Sequence, residues 1–217
     1  MRDEFERQLA LLNEELTTMG GLIESAIANA VKALDGDEHS INKAYDYEKS
    51  IDNKEREIES LSLKLLLTQQ PVASDLRLIS AALKMITDIE RVGDQSADIA
   101  DLNIRLIKKK QKWDLSDISE MARAATQMVN DAIDAYVNDD ENLARKVISS
   151  DDKIDELFVK TKDKIIDEIA ADKANGEKAI DTLMVAKYFE RIGDHAVNIA
   201  EWVVFSVTGV HKTERIM

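Results

Sequence analysis

The segment Glu90–Ala100 (ERVGDQSADIA) returns as Glu190–Ala200 (ERIGDHAVNIA), with six of the eleven positions identical. Similarity of that kind at a fixed offset marks an internal duplication, so the first half of the chain and the second must reach the same local fold. The upstream segments correspond too: Glu48–Asp52 (EKSID) is matched by Asp151–Asp155 (DDKID).

Each copy reads as three helices. Phe5, Leu9, Leu12, Leu16, Met19, Ile23, Ala26, Ala30 and Ala33 recur in unbroken steps of three and four, the spacing of one helix face. A second stripe runs through Ile41, Ala44, Ile51, Ile58, Leu61 and Leu65 and stops before Pro71, the single proline of the chain. The third helix is expected from Asp75 to about Ile107. The second copy then offers Ile118 to Ala135, Leu143 to Ile165 and, after a break at Asn175 and Gly176, Leu183 to Val207. The expected fold is all-α: two tandem three-helix bundles of long antiparallel helices, with repeats at residues 1–110 and 111–217.

Composition narrows the function. The absence of cysteine excludes disulfides, thiolate metal sites and cysteine nucleophiles. A formal net charge of −14 argues against a nucleic-acid reader and favours cations or basic protein surfaces. No apolar run approaches the roughly 20 residues of a membrane span, and no signal peptide is apparent, so a cytoplasmic protein without membrane insertion is expected. The basic run Lys108–Lys112 reads as a solvated linker.

The chemistry, if any, lies in carboxylates. Glu48/Asp52, Glu90/Asp94, Asp151/Asp155 and Glu190/Asp194 are i,i+4 pairs in the matching segments. A chain this acidic holds on the order of eight such pairs by chance, so position must carry the argument. Position does: Glu90 and Glu190 continue the apolar seams of their helices, while Glu48 falls between Ala44 and Ile51 and Asp151 between Val147 and Ile154. A carboxylate on a buried seam needs a proton, a basic partner or a cation. Arg91 and Arg191 could supply an internal salt-bridge network; alternatively the acids, with Asp98, Asp101 and Glu201 further along the same face, bind metal. Such hard oxygen donors suit Mg²⁺, Ca²⁺, Mn²⁺ or iron. Gly93 and Gly193 interrupt their helices beside these acids, either for close helix packing or for ligand access.

His39, His195 and His211 form no set, and none lies three residues after a glutamate, which argues against a ferritin-like di-iron enzyme. His195 either contacts a metal at Asp194 or is an ordinary polar-face residue. No phosphate loop, nucleophile elbow or zincin motif is present, so no catalytic residue is assigned.

Pro71–Arg77 (PVASDLR), Lys84–Asp94 (KMITDIERVGD) and Ala186–Ala196 (AKYFERIGDHA) resemble the core of the PhoU family, across nearly the whole chain. The resemblance implies six helices in two bundles whose E(D)xxxD motifs, here the four acid pairs, hold divalent or trivalent metal ions: iron, zinc, manganese, magnesium or calcium. It implies a negative regulator that restrains the Pst phosphate transporter through its ATPase and reports to a phosphate-response sensor histidine kinase, at the inner face of the membrane through its partners. A homodimer is expected. The other readings are a carboxylate-bridged metal storage or redox protein and a metal-free structural helical adaptor. Asn198 in place of Asp98, and Asp151 in place of Glu48, predict a first cluster more anionic than the second.

Overall fold

The structure, a computed structural model, describes residues 2–34, 36–69, 71–108, 116–212 and 214–215. Six helices dominate it: α1 (Arg2–Leu34), α2 (Glu38–Gln69), α3 (Ala73–Lys108), α4 (Ser116–Val137), α5 (Glu141–Ala171) and α6 (Gly176–Thr208). Residues 109–112, most of the basic run read as a linker, lie outside the described residues.

The helix limits follow from local chemistry. The turn after α1 passes through Gly36 at φ 96°, a left-handed conformation that costs glycine nothing. Asp37 then caps α2, its carboxylate accepting from the His39 backbone N–H at 3.1 Å and the Ser40 hydroxyl at 2.7 Å. Asp140 does the same for α5, accepting from Leu143 N–H at 3.0 Å. A single 3-10 turn at Lys173–Asn175 separates α5 from α6. Helix α6 therefore starts at Gly176, about two turns before Leu183, where the apolar stripe begins. It ends at Gly209, φ 77°. Beyond it, β1 (Val210–His211) pairs antiparallel with β2 (Glu214–Arg215). This ribbon turns back on α6, stacking the His211 ring on Trp202 with centroids 3.9 Å apart.

The apolar stripes predicted from spacing are the buried faces. Leu12, Leu16, Met19, Ile23, Ile51, Ile58 and Ile79 are fully buried. Each repeat packs its three helices together, but the two bundles do not keep separate interiors: one core cluster runs from Phe5 and Leu16 through Ile89 to Ile133, Phe189 and Phe205. Removing a fully buried ring such as Phe189 would cost about 3–5 kcal/mol. The repeats join where α3 runs along α6 and α1 crosses α4. At the second crossing a Cβ on Gly20 would lie 2.9 Å from Ile133 Cδ1, so any larger residue there would require the isoleucine side chain to shift. The buried Tyr136 hydroxyl on α4 donates to Leu78 O on α3 at 3.0 Å, a further bond between repeats.

Candidate carboxylate centre

Because α2 and α3 are antiparallel neighbours, the seam acids of both helices meet at mid-length. Carboxylate oxygens of Glu48, Asp52 and Asp94 all lie within 4.8 Å of one another. Burial, followed by the charges of Asp52 and Asp94, pushes the Glu48 carboxyl above its usual range. Glu90 is displaced in the same direction by burial and then by Asp94. Arg91 offsets part of this: its guanidinium is 2.9 Å from Asp94 and 3.5 Å from Glu90, although its own side chain is 57% exposed. The salt-bridge and metal readings of these acids thus each have a physical counterpart: Arg91 pairs with Asp94 on the outside, and Glu48, Asp52 and Asp94 gather beneath it.

The second repeat builds the same arrangement from α5 and α6 with different details. Asp151 is pushed up to about 6 by burial and by the surrounding charges of Asp155, Asp194 and Glu190. Asp155 and Asp194 are exposed, and no three carboxylates of this repeat converge as Glu48, Asp52 and Asp94 do among the described residues. Glu190 is paired with Lys187, one turn earlier on α6. Arg191 does not mirror Arg91 in the charge it senses: it acts on Asp98 across the inter-repeat boundary.

Gly93 and Gly193 lie where the paired helices pack closely. A Cβ on Gly93 would stand 3.1 Å from Ile51 Cδ1; on Gly193 it would stand 2.9 Å from Ile154 Cδ1 and 3.1 Å from Asp151 Oδ1. The two glycines serve close helix packing, and at Gly193 the same cleared space adjoins a cluster carboxylate.

The remaining acids are engaged elsewhere. Asp101 accepts the Tyr45 hydroxyl, and burial together with that bond pushes the tyrosine up to about 12. Asp98 accepts from Tyr188 on α6. Glu201 is 3.4 Å from Lys212 beside the C-terminal ribbon. His195 turns away from Asp194: its Nδ1 is 2.8 Å from Asp88 Oδ1 on α3. One participant was missed. Glu55, half-buried on α2, adds its charge to the surroundings of Glu90. The spacing Glu48, Asp52, Glu55 places it one turn beyond the first pair on the same face, a signal present in the sequence.

A hard-cation donor set fits this geometry: oxygen ligands only, partly buried, with Glu48 held above its usual range by burial and then by the neighbouring charges of Asp52 and Asp94, which a cation would offset. Glu48, Asp52 and Asp94 are the residues that would hold it in the first repeat.

Fold and site define a duplicated six-helix protein in which the second and third helices of each repeat present facing acid pairs. The family model described as the PhoU domain matches the chain twice, over residues 16–102 and 118–203. The phosphate-specific transport system accessory protein PhoU homolog of Clostridium acetobutylicum is 34% identical over 96% of both chains. PhoU homolog 1 of Thermotoga maritima is 32% identical over 97% of this chain and 91% of its own. The crystal structure of PhoU from Pseudomonas aeruginosa superposes with a TM-score of 0.90 at 30% identity, covering 95% of this chain and all of that one. The chain belongs to the PhoU family. It is accordingly of the regulatory accessory type and not an enzyme. Among the described residues no helix is long and apolar enough to cross a membrane.

Proposed function

We propose that this protein is a regulatory adaptor of phosphate transport that restrains a Pst-type phosphate transporter through its ATPase and couples transporter state to a phosphate-response sensor histidine kinase. The observation that supports it best is full-length similarity to proteins named as phosphate-specific transport system accessory proteins. In this reading the adaptor acts from the cytoplasm, reaches the membrane only through its partners, and works as a homodimer. Its two repeats, residues 1–110 and 111–217, each carry a carboxylate centre for divalent or trivalent metal ions. The acids involved are Glu48, Asp52, Glu90 and Asp94 in the first repeat and Asp151, Asp155, Glu190 and Asp194 in the second, with Asp98, Asp101 and Glu201 at their margins.

Cells carrying or lacking this protein, compared for radiolabelled phosphate uptake under phosphate excess, provide the test. Faster uptake in its absence, with co-purification of the transporter ATPase by the tagged protein, is the expected result. Equal uptake and no ATPase recovered would remove the adaptor reading. Elemental analysis of the same preparation decides the metal separately. A metal-free adaptor is the second reading, favoured by the ion pairs of Arg91 and Lys187 with the cluster acids.

A further inference from the structure

Beyond the exchanges of Glu48 for Asp151 and Asp98 for Asn198, the two carboxylate centres differ at two further positions that the duplication relates, and these exchanges alter charge. On the third helix of each repeat, Thr87 is answered by Lys187; on the second, Glu55 is answered by Phe158. In the second repeat these substitutions work as a pair. The Lys187 ammonium lies 5.4 Å from the centroid of the Phe158 ring and is bound to Glu190, whose side chain is only 14% exposed. An aromatic face beneath a lysine steadies it through cation–π attraction. In the first repeat the exposed Thr87 has no charge to offer Glu90, and Glu55 adds a carboxylate instead.

We infer that Lys187, seated on Phe158, is a resident cation of the second centre and competes there with metal ions, whereas Glu55 and Thr87 leave the first centre open to a multivalent cation. This rests on the carboxylate centres being cation sites, as proposed above. The physical basis is competition: an ion entering the second centre must displace an ammonium held at the buried Glu190, while one entering the first finds Glu48, Asp52 and Asp94 already gathered and has only the more exposed Arg91 to displace from Asp94. Arg91 is the first repeat's own cation: it donates to Asp94 at 2.9 Å and lies 3.5 Å from Glu90, but its side chain is 57% exposed and solvent screens it, whereas Lys187 is seated on Phe158 against a more buried acid.

The probe is Mn²⁺, titrated into the full-length protein after chelation and counted by electron paramagnetic resonance, with sites located by anomalous diffraction. Wild-type protein is expected to fill the first centre at least tenfold more tightly than the second. Lys187→Thr should tighten the second centre about tenfold and leave the first unchanged; Thr87→Lys should weaken the first by a similar factor. Equal filling of both centres in the wild type, or a second centre indifferent to Lys187→Thr, overturns the inference. If no variant binds Mn²⁺, the metal reading and the competition proposed here both fall. A lower urea midpoint for Lys187→Thr in chelator would then show that Lys187 is only a structural partner of Glu190.

Discussion

Asp88 and His195 meet across the boundary between the two repeats, with His195 Nδ1–H donating to Asp88 Oδ1 at 2.8 Å. Asn198 Nδ2 adds a second bond to the same oxygen at 3.2 Å. The duplicated counterpart of this contact is Tyr188 with Asp98, with the donor and acceptor exchanged. In one copy the acid sits at position 88 and the amide at 198; in the other the acid sits at 98 and the phenol at 188. Asn198 thus has a role that does not depend on metal, since an aspartate there would set two carboxylates against each other.

The Asp88–His195 bond should therefore be measurable as coupling between repeats. Asp88→Ala and His195→Ala are each expected to lower stability by about 1–2 kcal/mol, and the double variant to lose less than their sum. A double-mutant cycle in urea gives the coupling directly; strict additivity would mean that the contact contributes nothing to holding α3 against α6.

The raised Asp151 carboxyl fixes a pH dependence. Its folded-state value near 6 stands above the ordinary aspartate range because burial and like charges disfavour ionisation. The folded state therefore binds this proton more tightly than the unfolded state does. The contribution to stability is full at acid pH and is lost as pH rises through about 4 to 6. In chelator at pH 7, Asp151→Asn should stabilise the protein by about 1 kcal/mol, a figure already reduced for the exposed part of the side chain. The gain should vanish near pH 4. Thermal melts at both pH values test this, and a variant less stable than wild type at pH 7 would show that Asp151 makes a favourable contact in its charged form.

Asp117 carries the opposite sign. Burial alone would raise it, but Lys160 and Lys164 on α5 bind its two oxygens and hold it below the usual carboxylate range. Its contribution is present above the unfolded value and is lost as pH falls through the folded one. Asp117→Ala should cost about 2–3 kcal/mol at pH 7 and less in acid, because the buried side chain ties the start of α4 to α5.

Glycine substitutions separate close approach from helix propensity. Gly193→Ala places a methyl 2.9 Å from Ile154 Cδ1, and about 1–3 kcal/mol of overpacking should outweigh the gain in propensity. Gly21→Ala meets nothing within 4 Å on an exposed face of α1 and should stabilise by up to about 1 kcal/mol. If both variants stabilise, α5 and α6 have room that the packing of Ile154 against Gly193 denies.

The sequence by itself determined the six helices, because each stripe from Phe5 to Val204 repeats at the period of the helix and every long helix must bury such a face. It also determined the duplication and the seam positions of Glu48, Glu90, Asp151 and Glu190, since an acid interrupting an apolar stripe is visible without coordinates. Which partners those side chains reach depends on how the helices pack. Linear spacing places a residue on a face of its own helix but says nothing of the rotation of a neighbouring helix. Asp98 and Asp101 share a face with Asp94, yet Tyr188 takes one and Tyr45 the other. His195 follows Asp194 in the chain and bonds Asp88 from the other repeat. The core cluster shared by both repeats has the same origin: α3 and α6 each have a second face to bury, and they bury it against each other.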